Sequence, residues 1–370
     1  MPRATPRPRA PRPRALALAA RTLALAAGAL ALAACAPPRP AAPPAARRAL
    51  PSTATPPPPS PLPPSARDAA GVPEPAAKAP PPEPDLPVWP ARPADAPSGK
   101  AFVRALEAAD EQGREAAVLR EVCRGNVPGY LRRLVRLEAR GETSSGRPRA
   151  LTFWVTPDYL AVGDDADSVR VPMGAVTAQL VADRLGFVLP TAKLVDLVYR
   201  LAPDKLAPRT FPPSAAMVRA EAFAQHDELI DAQLGRGAPA GLVAGHKKDV
   251  VVSNRLRERP HRLALYGWHR PDGQPIQPLS TAHGDWYSDY SHGVRLVAPT
   301  VLVDGEPRRT LDVLADPELA PLLSDEGPIA QARYRTDEGA GRLAWWPAGP
   351  APKRHAAAAR PPPRRGRAPR

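Results

Sequence analysis

The chain has 370 residues, 54 of them proline, with two cysteines and a net charge of +14. The charge sits at the ends: residues 1–100 carry a net +8 and residues 351–370 a net +7, leaving the stretch between them at −1. A core without net positive charge, and without a zinc-finger or RNA-recognition motif, speaks against a specific nucleic-acid binder.

Arg3, Arg7, Arg9, Arg12, Arg14 and Arg21 precede the uncharged, apolar run Thr22 to Ala34, and that run ends in Leu32-Ala33-Ala34-Cys35. A cationic segment, a short apolar segment and a small-residue cleavage site make an export signal. With cysteine in last place, the segment resembles the lipobox of bacterial lipoproteins. The resemblance implies cleavage before Cys35, a diacylglycerol thioether on its sulfur, and a protein anchored to the membrane of the bacterial envelope rather than spanning it. Ala36 lacks the aspartate that often retains such lipoproteins at the inner membrane, so an outer-membrane or periplasm-facing location is expected. Two other readings are an ordinary secretory signal ending around Ala31 to Ala34 and a membrane helix. The apolar run after Arg21 is shorter than the roughly 20 residues a membrane helix needs.

Twenty-three prolines fall between Ala36 and Ser98, which predicts a disordered, semi-rigid linker over 35–99 reaching up to about 3.1 Å per residue. A helix is expected from Lys100 to Cys123, with Gly125 just past its end. Lipidation of Cys35 would leave Cys123 a lone thiol, read as a small packed residue. Strands are expected at Leu134 to Leu137 and Leu151 to Val155, helices at Val176 to Leu185, Thr191 to Leu201 and Ser214 to Leu234. Short strands then follow at Asp249 to Ser253, Arg262 to Trp268, Gln274 to Leu279, Gly293 to Val297 and Thr300 to Val303. Helices first and hairpins later predict an α+β fold with a mainly antiparallel sheet in a single large domain, 100–346. Residues 347–370 form a basic tail suited to anionic lipid or cell-wall polymer, or simply a solubilising end.

Five of the seven histidines, His246, His261, His269, His283 and His292, fall within 47 residues, among Tyr266-Gly267-Trp268-His269 and the run from His283 to Arg295. Asp, His, Tyr and Arg gathered around strand ends and glycine turns are what a positioned polar cleft requires. The competing structural reading makes them turn caps and core aromatics. The phrases Val155-Thr-Pro-Asp-Tyr-Leu-Ala-Val-Gly163, Lys247-Lys-Asp-Val-Val251, Tyr266-Gly-Trp-His269, Pro275-Ile-Gln-Pro-Leu279 and Asp289-Tyr-Ser-His-Gly-Val-Arg-Leu296 are similar to those of a group of secreted bacterial proteins without an established activity. That resemblance, from about Gly125 to Gly327, implies a coherent domain.

Three chemistries fit the residue types. A zinc or other divalent-metal site would draw on His269, His283, Asp289 and His292, although no H-E-x-x-H occurs. A metal-free acid/base site would use His283 or His292 as the proton-transfer group, with Asp289 orienting it. A nucleophilic site would use Ser291 or Ser253, neither of which stands in G-x-S-x-G. Lys247, Lys248 and Arg295 are candidates to hold a carboxylate or phosphate. The aromatic residues Tyr266, Trp268, Trp286, Tyr287 and Tyr290 are candidates to stack on sugar. Asp164, Asp165 and Asp167 read as an acidic turn, lacking the glycine and distal glutamate of an EF-hand. The expected catalytic set is therefore His283, Asp289 and His292, with Lys248, Tyr266, Trp268, His269, Tyr287 and Arg295 binding substrate. The expected function is an envelope-anchored hydrolase acting on cell-wall peptide or polysaccharide, the alternative a noncatalytic glycan- or peptidoglycan-binding or scaffold lipoprotein.

Overall fold

A computed structural model describes residues 84–235 and 239–337, which fall in one unit, Ala77–Arg370. Cys35, most of the proline-rich stretch and the basic tail lie outside the described residues. In chain order the helices are α1 (Gly99–Leu106), α2 (Glu111–Cys123), α3 (Ala175–Leu185), α4 (Ala192–Leu201), α5 (Ala220–Leu234), α6 (Arg255–Glu258) and α7 (Thr310–Ala315). The strands are β1 (Val135–Glu142), β2 (Pro148–Val155), β3 (Ala161–Gly163), β4 (Ser168–Arg170), β5 (Asp204–Lys205), β6 (Val243–Ala244), β7 (Lys248–Val250), β8 (Leu265–His269), β9 (Pro275–Ser280), β10 (His292–Gly293), β11 (Thr300–Val303) and β12 (Glu306–Arg309). The fold is α+β, and its two larger sheets run β1-β2-β11-β12 and β10-β7-β8-β9, antiparallel throughout except for the parallel pair β10·β7.

Local chemistry explains where the elements differ from the sequence-based expectation. The helix expected over 100–123 is two helices, because the Asp110 carboxylate accepts the Gly113 backbone N–H at 2.8 Å and caps a fresh start. The expected strand 293–297 is reduced to its first residues. Beyond Gly293 the backbone bonds different segments in turn: Val294 O accepts from Leu160, Leu296 O from Thr156, and Ala298 N donates to Trp154. The side chains Val294, Leu296 and Val297 are all fully buried. The folded part also begins before Lys100, since Trp89 is buried against Phe187 with ring centroids 5.4 Å apart and Arg92 donates to Asn126 at 3.0 Å.

The core joins the two large sheets to α2, α3 and α4 through Phe153, Val301, Val250, Leu265, Val122, Val181 and Leu194. Cys123 lies in it, and burial pushes its thiol up to about 12, so it packs rather than reacts. Among the described residues no helix is long and apolar enough to cross a membrane.

Candidate functional site

The register of β10 on β7 pairs His292 with Lys248 and Gly293 with Asp249. Laterally paired residues share a sheet face, so His292 and Lys248 point one way and Asp249 the other. The chain reaches β10 through a turn that Asp289 builds itself. Its Oδ1 accepts the Ser291 backbone N–H at 2.8 Å and the Ser291 hydroxyl at 2.6 Å, and its carbonyl accepts His292 N–H at 3.1 Å. Gly293 is not the source of this turn. A Cβ there would lie 2.5 Å from the ring of the buried Tyr159, so glycine is required by close approach. Gly293→Ala is expected to destabilise the fold by about 1–3 kcal/mol through overpacking, read from the denaturation midpoint; an unchanged midpoint would contradict that role.

The turn places Asp289 Oδ2 within 3.0 Å of the Tyr287 hydroxyl, which donates to it, and 3.8 Å from His292 Nε2. The His283 ring stacks on Tyr287 with centroids 4.2 Å apart and planes 14° apart, and Tyr287 meets His292 edge-on at 5.6 Å. His283 is exposed, Tyr287 and Lys248 are half-buried, and Asp289 and His292 are buried. The three residues expected to be catalytic therefore gather in one cluster with Tyr287 and Lys248.

Burial sets the protonation states. His292 is fully enclosed, neither ring nitrogen has a hydrogen-bond partner among the described residues, and burial pushes its pKa down to about 4 against the pull of Asp289. It is neutral at pH 7. Asp289 is held below the usual carboxylate range: burial opposes its charge, but His292, the Ser291 hydrogen bonds and Lys248 outweigh it. With His292 neutral, the Ser291 donors and Lys248 carry that effect at pH 7. Burial lowers Lys248 while Asp289 raises it, and its ammonium lies 5.1 Å from the centroid of Trp268.

The loop is tied down from behind by Glu115 on α2, whose carboxyl accepts the Ser288 hydroxyl at 2.9 Å and Gly174 N–H at 3.0 Å. Burial raises Glu115 to about 7 in spite of these bonds. Between the ordinary glutamate value of 4.5 and pH 7 the folded state keeps a proton that the unfolded state loses, so its contribution to stability is full at acid pH and is lost as pH rises through 7. Glu115→Gln should therefore gain on the wild type by roughly 3 kcal/mol between pH 4.5 and pH 8. Urea unfolding at both pH values checks this, and a constant difference would contradict it.

Other expected site residues lie elsewhere. Arg295 is buried beneath the sheet and donates to the Thr156 and Val243 carbonyls at 2.6 Å each, its guanidinium 4.7 Å from the centroid of Tyr159, so it does not bind substrate beside His283. Lys247 is likewise enclosed, donating to Tyr290 O at 2.7 Å. Trp268 is buried with Phe223 and Tyr290 behind a bulge in β8, where Gly267 and Trp268 take φ of +102° and +58°. Tyr266 and His269 line a different cleft of about 680 Å³, where both bond Asp196: the Tyr266 hydroxyl donates at 2.9 Å, and His269 Nε2 lies at the same distance. His269 is thus separated from the histidines with which it was expected to hold a metal. Among the described residues no three His, Cys, Asp or Glu side chains are placed to hold a metal ion. Ser291 is enclosed and bonded to Asp289, and Ser253 donates to Glu326 at 2.8 Å.

Glu115 and Asp196 escaped the sequence reading. The one signal for Asp196 was an acid within the apolar helical stretch Leu194-Val195-Asp196-Leu197-Val198, and Glu115, preceded by Glu111-Gln112-Gly113-Arg114, lacked even that. Comparisons with protein-family models, curated proteins and solved structures found no match.

Proposed function

We propose that the chain is a lipid-anchored protein of the bacterial envelope, and that its folded unit hydrolyses cell-wall peptide or polysaccharide by metal-free acid/base chemistry centred on His283. The observation that carries this reading is the exposed His283 ring stacked on Tyr287, with the Tyr287 hydroxyl fixed by Asp289. An exposed imidazole can take a proton from water as the water oxygen attacks the scissile bond, then return it to the leaving nitrogen or oxygen as that bond breaks. Tyr287 sets the ring plane of His283, and Asp289 with neutral His292 holds Tyr287. Lys248 supplies positive charge on the sheet face that carries His292. Stacking of sugar on Trp268 or Tyr290 is disfavoured, because both rings are buried.

The test is incubation of the purified chain with intact sacculi, with soluble products identified by mass spectrometry. Release of peptide or glycan fragments is expected; sedimentation with the sacculi without release would favour the binding reading. For the anchor, wild type is expected to incorporate a palmitate analogue in a host with lipoprotein processing and Cys35→Ala is not. Absence of label on wild type would contradict it.

A further inference from the structure

The described core carries little net charge, yet one pocket of about 260 Å³ is lined by Arg257, Arg259, Arg262, Arg333 and Arg335, with Asp285 the one carboxylate in its wall. Two segments bring these cations together. Arg257 lies in α6, and Arg259 and Arg262 follow it along the chain. Arg333 and Arg335 flank Tyr334, a buried side chain whose hydroxyl donates to Val251 O and accepts Ala264 N–H at 3.0 Å. Tyr334 thereby pins the last described segment against Val251 and Ala264, which bracket the stretch that carries the other arginines.

Two of the acids nearby are already engaged. Asp285 pairs with His261 at 3.4 Å, and Asp183 takes Arg333 at 2.7 Å. Arg262 donates to the Ala282 carbonyl at 3.0 Å, which leaves its charge uncompensated. Arg257, Arg259 and Arg335 are exposed, and their guanidinium groups have no hydrogen bond or ion pair to a described residue. Four guanidinium groups without an ion-pair partner around one small cavity favour an anion that can join them. A lone carboxylate is satisfied by one arginine fork, whereas a phosphate offers higher charge and enough oxygens for several.

From this we infer that the pocket is a binding site for a phosphate group borne by an envelope lipid or polymer. It stands apart from the acid/base reading, although residues 261–263 pair with 283–285, so the strand bordering the pocket leads directly into His283.

Calorimetric titration of the full chain with inorganic phosphate, and separately with acetate, tests the site. Wild type is expected to bind phosphate at millimolar or lower concentration and acetate far more weakly. Arg257→Gln/Arg259→Gln should weaken phosphate binding by roughly tenfold or more, while Arg309→Gln, at an exposed arginine paired with Asp312, should leave it unchanged. Vesicles of phosphatidylcholine with and without phosphatidic acid locate the source. Capture by phosphatidic acid that fails in the double variant assigns the phosphate to a lipid headgroup, and phosphate binding without vesicle capture assigns it to a polymer or soluble phosphate. Equal phosphate affinity in wild type and double variant, acetate binding as tightly as phosphate, or no phosphate binding by wild type would each overturn the inference.

Discussion

Replacing Arg170 by methionine is expected to remove about 3–5 kcal/mol of folding free energy, because it strands buried carboxylates without their cation. Arg170 is fully buried on β4, and its side chain donates to Asp158 at 2.9 Å, Asp227 at 2.7 Å and Asp231 at 2.9 Å. Asp158 is enclosed and also bonds His246 at 2.9 Å. Its carboxyl is held well below the usual range: burial opposes the charge, but Arg170 and His246 outweigh burial. The network joins the loop before β3, α5 and the segment entering β7, and so fixes the strand that carries Lys248. Urea denaturation checks the prediction, and a loss under about 1 kcal/mol, the scale of an exposed ion pair, would contradict it.

The largest effect on activity is expected at His283. Removing a general acid/base typically lowers the rate by about 10²-fold or more, and His283→Ala should reach that range with little loss of stability, since the ring is exposed. Tyr287→Phe keeps the stacking surface and loses only the hydroxyl bond to Asp289, so its rate should fall less than that of His283→Ala. If the two substitutions act equally, or if only Tyr287→Phe matters, the assignment of proton transfer to His283 is wrong.

Much of the architecture was legible because it rests on periodicity and turn chemistry. Ala175–Leu185 and Ala192–Leu201 follow from helical spacing on either side of the break at Gly186 and Pro190, and Pro275–Ser280 follows from the Pro-Asp-Gly turn before it. The β3–β4 hairpin and α7 were missed because their segments are too short for a period to register. The convergence of His283, Asp289 and His292 was readable from chain proximity, once a turn was allowed near Ser291. Proximity failed elsewhere for a definite reason: alternation along a strand sends neighbours to opposite faces. Tyr266 faces away from Lys248 and His292 for that reason and reaches Asp196 in another cleft. His269 reaches Asp196 in the same cleft because the bulge with positive φ at Gly267 and Trp268 turns the strand. Arg295, beyond β10, turns into the core to satisfy two carbonyls. Nor could the sequence distinguish an exposed imidazole from an enclosed one. Burial makes His292 neutral and leaves His283 as the imidazole of the cluster that solvent can reach.

The most direct test compares the rate at which wild type and His283→Ala release soluble fragments from the same sacculi at pH 7, after both proteins are shown to have matching circular dichroism and melting temperature. The expected result is measurable release by wild type and a loss of about 10²-fold in the folded variant. Equal release by the two proteins would contradict proton transfer by His283, and no release by wild type would contradict the hydrolase itself.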